Sequence, residues 1–309
     1  MKTAISYIII LLMTTGVFAQ PKNKVFLFSY FNGNGEDGLH LAYSEDGYAW
    51  QTLNNGKSFL KPSAGKDKLM RDPCIIQGDD GEFHMVWTVS WFERGIGYAH
   101  SKDLINWSEQ QYLPVMEHEP GARNCWAPEL FYDKELKTYM IFWATTIPGR
   151  FKEGENQGDD KLNHRIYYVT TQDFKTFSET KLLYDQGFNV IDATLVKIDG
   201  VYTLFLKDET KTPPQKNIRI ATSRSLTGGY SKPGEKITGD WVEGPTVAKI
   251  GNDWVIYFDQ YTKGKMGAVR TDDLLHWSDI SDQVSFPEGT RHGTVFKANR
   301  KVLKKLQEL

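Results

Sequence analysis

The sequence predicts an all-β protein, a five-bladed β-propeller whose ring is closed by pairing N-terminal strands with a C-terminal strand. Aromatic side chains make up 13% of the 309 residues, and the chain has 27 glycines, a composition that favours β-strands joined by many turns. A short Ser/Thr-x-Asp motif that ends at an aromatic residue recurs roughly every 50 to 70 residues, a spacing typical of propeller blades. Each copy follows two β-prone segments joined by a polar turn, which predicts a hairpin.

The recurring motif is predicted to form the same turn in each blade. Its five copies occupy residues 42–50, 99–107, 169–177, 221–230 and 268–277, and the fourth copy is degenerate. We interpret the acids of the other copies as structural, because a short acidic side chain can accept hydrogen bonds from the backbone of its own turn. These acids are Asp46, Asp103, Asp173 and Asp273.

The hairpins predict four strands in each blade, with the fifth blade split between the two ends of the chain. The inner pairs are predicted at 74–76 with 83–88, 129–132 with 138–144, 194–198 with 201–206, and 246–250 with 254–258. In the split blade, residues 293–296 supply the first strand, and residues 25–30 and 39–44 supply the next two. This pairing hides both edges of the array. A β-sandwich is the alternative, but it does not account for so regular a repeat. Residues 297–309 are predicted to form a short helix.

Residues 1–19 are interpreted as a secretory signal peptide, which leaves residues 20–309 as a single five-bladed propeller domain. Lys2 provides a positive start, residues 5–13 form an apolar run too short to span a bilayer, and Ala19 suits cleavage before the next residue. A membrane anchor is the alternative. We expect an exported protein, periplasmic or secreted, with no membrane contact after cleavage.

The balance of charges makes two classes of partner unexpected, and the cysteine content bears on disulfide bonds. The 37 Lys and Arg nearly balance the 39 Asp and Glu, so there is no electrostatic reason to expect a nucleic acid or an acidic membrane as partner. The two cysteines, Cys74 and Cys125, are expected to be buried free thiols, with a disulfide as the alternative. We expect a monomer.

Acidic residues lead the first strand of most predicted blades. Because the first strand of a blade lines the central axis, these leading residues should face the centre of the ring; they are Asp72, Glu129, Asp192, Glu243 and His292. Carboxylates that lie this close repel one another, and at least one pKa should rise. Glycoside hydrolysis uses a pair of carboxyls, one protonated and one ionised. The sequence therefore predicts a glycosidase that cleaves O-glycosyl bonds.

The ordered blade starts resemble those of glycoside hydrolase family 43. They read Asp-Pro at Asp72, Trp-Ala-Pro-Glu at Trp126, Ile-Asp at Ile191 and Glu-Gly-Pro at Glu243, and the resemblance extends from about residue 25 to 296. It implies a five-bladed propeller that hydrolyses with inversion of configuration. The third motif departs from the family pattern, because Asp192 is followed by alanine where the family usually has proline.

The resemblance implies a role for each catalytic residue. Asp72 would be the general base, Glu243 the general acid, and Asp192 the residue that tunes the pKa of the acid and orients it. Physical reasoning agrees, since two ionised neighbours should raise the pKa of Glu243 towards neutral pH.

Other residues near the blade starts are candidates for substrate binding, because aromatic rings stack on sugars and polar groups bind their hydroxyls. The candidates are Trp126, Glu129, Trp91, Phe31, Arg71 and His292. Relatives often place a histidine like His292 near an axial ion, often calcium, so the resemblance allows a Ca²⁺ ion there and requires no cofactor.

The function predicted from these residues is exo-acting, inverting hydrolysis of terminal sugars in plant or algal polysaccharides and oligosaccharides. The resemblance suggests pentosides, of the β-xyloside or α-L-arabinofuranoside type, with a galactofuranosidase or an exo-galactanase as further candidates. Inserted loops at residues 116–124 and 149–163 could wall one side of the site into a pocket. A non-catalytic carbohydrate-binding propeller and a protein-interaction propeller are the competing functions.

Overall fold

The computed structural model describes residues 23–309, in which nineteen β-strands form five antiparallel sheets. In chain order the strands are β1 (Lys24–Tyr30), β2 (His40–Ser44), β3 (Gln51–Thr52), β4 (Arg71–Gln77), β5 (Phe83–Thr88), β6 (Ile96–Ser101), β7 (Gln111–Leu113), β8 (Trp126–Asp133), β9 (Thr138–Thr146), β10 (His164–Thr171), β11 (Lys181–Tyr184), β12 (Val190–Ile198), β13 (Val201–Asp208), β14 (Asn217–Ser223), β15 (Glu243–Ile250), β16 (Asp253–Gln260), β17 (Lys265–Thr271), β18 (Ser278–Asp279) and β19 (Thr294–Asn299). The signal-peptide interpretation of residues 1–19 lies outside the described residues.

The sheets are the blades of a five-bladed propeller, as predicted. Their strand orders are β4-β5-β6-β7, β8-β9-β10-β11, β12-β13-β14, β15-β16-β17-β18 and β19-β1-β2-β3. The last blade closes the ring, because β19 pairs antiparallel with β1 from Ser29 opposite Thr294 to Lys24 opposite Asn299. The inner strand β19 in turn contacts the inner strands β4 and β15 of the two neighbouring blades.

One blade has three strands where four were predicted. The segment outside β14 makes backbone hydrogen bonds to it only at Ser231, Gly234 and Ile237, one residue in three. Pro233 lies within this segment and has no N–H to donate, so the segment does not continue the ladder as a strand.

Short helices complete the chain. The α-helix α1 (Arg300–Gln307) follows β19 directly, three residues later than the predicted helix begins, because the closing strand extends to Asn299. The Asn299 side chain caps α1 by accepting a hydrogen bond from Lys301 N, and Leu303 and Leu306 are buried. Three 3₁₀ turns lie at Asn54–Gly56, Asp159–Lys161 and Ser281–Gln283.

Apolar side chains pack between neighbouring blades. Trp87 and Leu27, from adjacent blades, belong to one buried cluster that also contains Leu303 of α1, and Cys74 and Cys125 are both buried free thiols. Among residues 23–309, no helix is long and apolar enough to cross a membrane.

The aspartates of the repeated turns are structural, as predicted. In Asp46, Asp103, Asp173 and Asp273, one carboxylate oxygen accepts hydrogen bonds of 2.7 to 3.0 Å from the backbone N–H groups two and three residues further along the chain.

Replacing Asp103 by alanine should lower the free energy of unfolding by about 1–2 kcal/mol, because the N–H groups of Ile105 and Asn106 lose their acceptor. Urea denaturation monitored by tryptophan fluorescence measures this change. Asp272→Ala is the control, since the exposed Asp272 accepts no hydrogen bond from the equivalent turn of its own blade. Equal effects of the two substitutions would contradict the structural role.

Candidate active site

Four of the five inner strands begin with a β-bulge. The register of each inner strand against its neighbour shifts after its first or second residue, at Arg71, Trp126, Ile191 and Glu243. The next residue has a positive φ in all four strands. The φ values are 51° at Asp72, 46° at Ala127, 48° at Asp192 and 60° at Gly244. A bulge of this kind breaks the alternation of a strand and redirects side chains, here at the end of the propeller axis.

The bulges show that the predicted leading residues are not equivalent, which corrects the sequence-based alignment. Asp72 and Asp192 occupy the same bulge position, whereas Glu243 lies one residue before it and Glu129 lies two residues after Ala127. Side chains on opposite sides of a bulge point in different directions. Glu129 is therefore separated from the other acids.

One cavity of about 270 Å³ brings most of the predicted site residues together. Seven of them line it, and they are Arg71, Asp72, Trp91, Trp126, Asp192, Glu243 and His292. Phe31 and Glu129 are not in its wall. The cavity is near the lower end of the size range of small-ligand sites.

Asp72 is held as a carboxylate. Thr88 Oγ1 donates to its Oδ2 at 2.8 Å, and His292 Nδ1 lies 3.2 Å from its Oδ1. Burial alone would raise the pKa of Asp72, but the charge and hydrogen bond of His292, the charge of Arg71 and the Thr88 hydroxyl outweigh it and lower the pKa to about 2. Asp72 is therefore ionised at every pH at which the protein would work.

Glu243 is paired with two cations. Lys207 Nζ donates to its Oε2 and Arg291 Nη2 donates to its Oε1, each at 3.1 Å. Burial acts to raise the pKa of Glu243, but Lys207, His292 and Arg291 together lower it. The prediction that neighbouring acids raise this pKa was wrong, because it counted the carboxylates and overlooked the cations.

Of the three predicted catalytic acids, Asp192 is the one whose pKa is raised. Gly244 N donates to its Oδ2 at 3.1 Å, which ties it to the strand that carries Glu243. Burial raises the pKa of Asp192 to about 6, against the lowering effect of His292 and Lys207. Asp192 and Glu243 thus form a pair of interacting carboxyls that holds one proton below about pH 6 and faces the same cavity as the ionised Asp72.

His292 lies between these acids. Its Nδ1 is 3.2 Å from Asp72 Oδ1 and 4.0 Å from Asp192 Oδ2, and although burial acts to lower the pKa of His292, the two carboxylates raise it to about 9. The ring packs against Gly244, where a Cβ atom would lie 2.3 Å from the His292 ring. Only glycine leaves room for this contact.

The surroundings of His292 do not fit a bound Ca²⁺ ion. An imidazolium is a donor and cannot bind a cation, and calcium prefers several oxygen ligands. Within the described part of the chain, no group of three or more His, Cys, Asp or Glu side chains could hold a metal ion.

Phe31 and Glu129 support the site from outside its wall. Phe31 is fully buried, and its ring centroid lies 4.7 Å from the Arg71 guanidinium and 5.6 Å from that of Arg291. Glu129 is also buried, and its two oxygens accept hydrogen bonds of 3.0 Å from the hydroxyls of Thr194 and Thr294. Burial raises the pKa of Glu129 to about 7 despite the neighbouring His292 charge and these hydrogen bonds.

Replacing Glu129 by glutamine should flatten the pH dependence of stability. The folded-state pKa of about 7 exceeds the ordinary value of 4.5, so the folded state binds the proton more tightly and its stability falls as the pH rises between these values. In the wild-type protein, the loss of stability caused by ionising Glu129 amounts to about a few kcal/mol, and Glu129→Gln should remove this loss. Urea denaturation at pH 5 and pH 8 measures the difference.

The control for this change is Glu109→Gln, because Glu109 is exposed. It should leave the pH dependence as in the wild-type protein. A Glu129→Gln protein whose stability still falls between pH 5 and pH 8 as steeply as that of the wild type would contradict the assignment.

Two tryptophans form an aromatic wall. The rings of Trp91 and Trp126 meet edge to face with centroids 5.5 Å apart, and Trp126 Nε1 donates to the Trp91 carbonyl at 2.9 Å. The Arg71 guanidinium lies 4.3 Å from the Trp91 ring centroid, and Trp91 remains 39% exposed. These rings are oriented by polar contacts and leave apolar surface for a ligand.

The polar loop before β10 contributes to the cavity more than the sequence suggested. Its residues Asp159, Asp160 and Leu162 line the cavity, while no residue of the other predicted loop, 116–124, does. Buried Arg165 holds the loop by donating to Glu153 O at 2.9 Å and to Asn163 Oδ1 at 2.8 Å.

Sequence reasoning missed six polar residues of the wall: Lys207, Glu209, His164, Arg291, Thr88 and Asn189. For Lys207 a signal was present, because it interrupts the apolar side of β13 two residues after Phe205. Arg291 directly precedes His292, which was a predicted site residue. His164 had no local signal.

Comparison with known proteins is consistent with this geometry. A family model described as a probable glycosyl hydrolase domain, related to glycoside hydrolase family 43, matches residues 22–302. An α-L-arabinofuranosidase of Bifidobacterium longum subsp. longum is 25% identical over 261 residues, and the match covers 72% of this chain and 24% of that protein. The chain thus spans about a quarter of the length of this relative.

Solved structures share the fold. An α-L-arabinofuranosidase from Lactobacillus brevis is 20% identical with a TM-score of 0.52, over 68% of this chain and 72% of that one. A Bacillus subtilis arabinanase is 16% identical with a TM-score of 0.51, over 69% of this chain and 76% of that one. A thermostable family-43 glycoside hydrolase is 17% identical with a TM-score of 0.52, over 68% of this chain and 71% of that one.

Proposed function

The chain belongs to the family of probable glycosyl hydrolase domains related to glycoside hydrolase family 43, and from that premise we propose that it hydrolyses terminal pentosides, of the α-L-arabinofuranoside or β-xyloside type, with inversion of configuration. One observation carries the proposal. A single cavity contains an ionised carboxylate, Asp72, and a carboxyl pair, Asp192 with Glu243, that retains a proton. Inverting hydrolysis needs this combination of base and acid.

In the proposed mechanism, Asp72 removes a proton from the attacking water and Glu243 protonates the leaving oxygen. The strand β19 lies between β4 and β15 in the ring, so Asp72 and Glu243 come from strands on either side of it, and both line the cavity. Inversion requires a base and an acid that bracket the glycosidic bond with space for the attacking water.

The proton of the carboxyl pair has to lie on Glu243 during the reaction. A glycosidic oxygen close to Glu243 can accept a hydrogen bond only from the protonated form of this residue, so substrate binding favours the arrangement with the proton on Glu243. Asp192 then carries the negative charge, which the Gly244 N–H and the His292 imidazolium stabilise. Asp192 in this way sets the pKa of the acid without touching the leaving group.

The stereochemical course tests the proposal. A panel of aryl α-L-arabinofuranosides, β-xylosides and galactosides identifies the sugar that is cleaved, and proton NMR identifies the first-formed anomer of the product. We expect a pentoside to be the best substrate and the product to have the opposite configuration. A product with retained configuration, or no turnover of any glycoside, would overturn the proposal.

Exo action is part of the same proposal. The loop that ends before β10 places Asp159, Asp160 and Leu162 in the cavity wall, and the cavity of about 270 Å³ suits one terminal sugar more than a continuous polymer. Digestion of linear pentose oligosaccharides should release only monosaccharide from the first minutes onward. Early release of shorter oligosaccharides would show endo action.

We also propose that the protein is exported. The support is the sequence of residues 1–19, with a positive start, an apolar run and a small residue at the predicted cleavage site. Expression of the full chain in a Gram-negative host, followed by mass spectrometry of the exported protein, should give an N-terminus at Gln20. Retention of residues 1–19 on a membrane-bound protein would contradict it.

A further inference from the structure

His164 borders the catalytic cavity and has one ring nitrogen without a partner. It is the first residue of β10, its side chain is 1% exposed, and its ring centroid lies 4.9 Å from that of Trp126. Among residues 23–309, no group forms a hydrogen bond with its buried Nε2. A buried polar atom without a partner is costly, so this nitrogen needs an explanation.

The contacts of Asn189 determine which nitrogen of His164 carries the proton. Asn189 Nδ2 donates to the Leu162 carbonyl at 3.0 Å, and Asn189 Oδ1 accepts from the His164 backbone N–H at 2.8 Å. Both contacts fix the same orientation of the amide. Because Asn189 Oδ1 also lies 3.1 Å from His164 Nδ1 and can only accept, the hydrogen must be on Nδ1, and Nε2 carries a lone pair.

The charges around the ring keep it neutral. Burial lowers the pKa of His164 to about 3, and Lys207, Lys216 and Arg165 add to this effect against the hydrogen bond from Asn189. A second proton on Nε2 is therefore excluded at ordinary pH. Nε2 is therefore a buried acceptor in a side chain that lines the cavity.

We propose that His164 Nε2 accepts a hydrogen bond from a hydroxyl of the terminal sugar and thereby selects the sugar that the enzyme cleaves; the inference rests on the proposed function. The side chain lies next to Trp126, and the loop that lines the cavity ends at residue 163, immediately before it. A terminal sugar in the cavity would lie beside this loop. The loop residues Asp159 and Asp160 add two further acceptors for hydroxyl groups.

Two substitutions separate the two ring nitrogens. In His164→Asn, the amide nitrogen can replace Nδ1 as donor to Asn189, but no acceptor remains at the position of Nε2. In His164→Gln, a polar atom remains near Nε2, while the donor to Asn189 is lost. We expect kcat/KM on the best pentoside to fall about 10- to 100-fold in His164→Asn and less in His164→Gln.

Monodeoxy substrates test the contact itself. For one of the monodeoxy aryl pentosides, the wild-type enzyme should lose about 10- to 100-fold in kcat/KM relative to the parent, and His164→Asn should show little of this loss. A purely structural role of His164 would slow the parent and every deoxy analogue by the same factor. That pattern, in a variant with wild-type thermal stability, overturns the inference.

A binding measurement keeps the inference separate from the proposed function. In protein with ¹⁵N-labelled histidine, NMR should show a neutral His164 with the proton on Nδ1, and L-arabinose or D-xylose should shift its Nε2 resonance. If no glycoside is hydrolysed but a sugar shifts Nε2, the proposed function fails and the inference stands. If pentosides are hydrolysed and neither sugar shifts Nε2 at saturation, the inference fails and the function stands. If neither occurs, both fail.

Discussion

Replacing Asp72 by asparagine should lower kcat by about 10²- to 10⁴-fold on every glycoside that the enzyme cleaves, whatever its leaving group. Asparagine retains the shape and can still accept from Thr88, but it cannot remove a proton from water. Since water attacks in every reaction, kcat should fall by a similar factor for substrates with good and with poor leaving groups. Steady-state kinetics on aryl pentosides of graded leaving-group acidity measure the loss, which should lie in kcat more than in KM.

Two further variants make this prediction specific. Asp282→Asn removes an exposed carboxylate that is paired with Lys265 outside the cavity wall, and it should leave kcat unchanged. Asp72→Ala opens space for azide, which needs no base, and azide should restore turnover of activated substrates as a glycosyl azide of inverted configuration. An azide product of retained configuration would show that Asp72 is not the base of an inverting reaction.

The sequence predicted the fold well because propeller structure is encoded locally. Each hairpin has its own turn signal, and each repeated turn has its own aspartate, so Asp103 could be assigned without knowledge of its neighbours in space. The closure of the ring could also be predicted, because the N-terminal strands lack a first strand for their blade and the C-terminal segment that forms β19 supplies one. The three-stranded blade was missed, although Pro233 was a visible signal.

The site was predicted only in part, because its electrostatics depend on contacts between blades. The bulges shift Glu129 away from the cavity, and no periodicity in a single sequence reveals a shift of one residue. Lys207 reaches Glu243 from the neighbouring blade, so its effect on the acid cannot be read from either motif. The neutral state of His164 likewise depends on Asn189, which lies 25 residues further along the chain, just before the first strand of the next blade.

Replacing Glu243 by glutamine should slow the cleavage of natural glycosides by about 10²- to 10⁴-fold and leave that of dinitrophenyl glycosides nearly unchanged. Glutamine cannot protonate the leaving oxygen, which a poor leaving group requires and a dinitrophenolate does not. The wild-type enzyme should also lose activity on natural glycosides above about pH 6, where the Asp192–Glu243 pair gives up its proton. Glu243→Gln should abolish this loss. Kinetics against pH and leaving group measure both effects, with the exposed Glu235→Gln as control.

The same experiment distinguishes the two carboxyls of the pair, because only the loss of the proton donor itself abolishes the alkaline limb of the pH profile. Asp192→Asn should shift this limb to lower pH and leave it present, since the substitution removes the charge that keeps the proton on Glu243 during the reaction. If Asp192→Asn were instead the variant that abolishes the limb, the proton donor would be Asp192. Glu243, held ionised by Lys207 and Arg291, would then be the residue that tunes it.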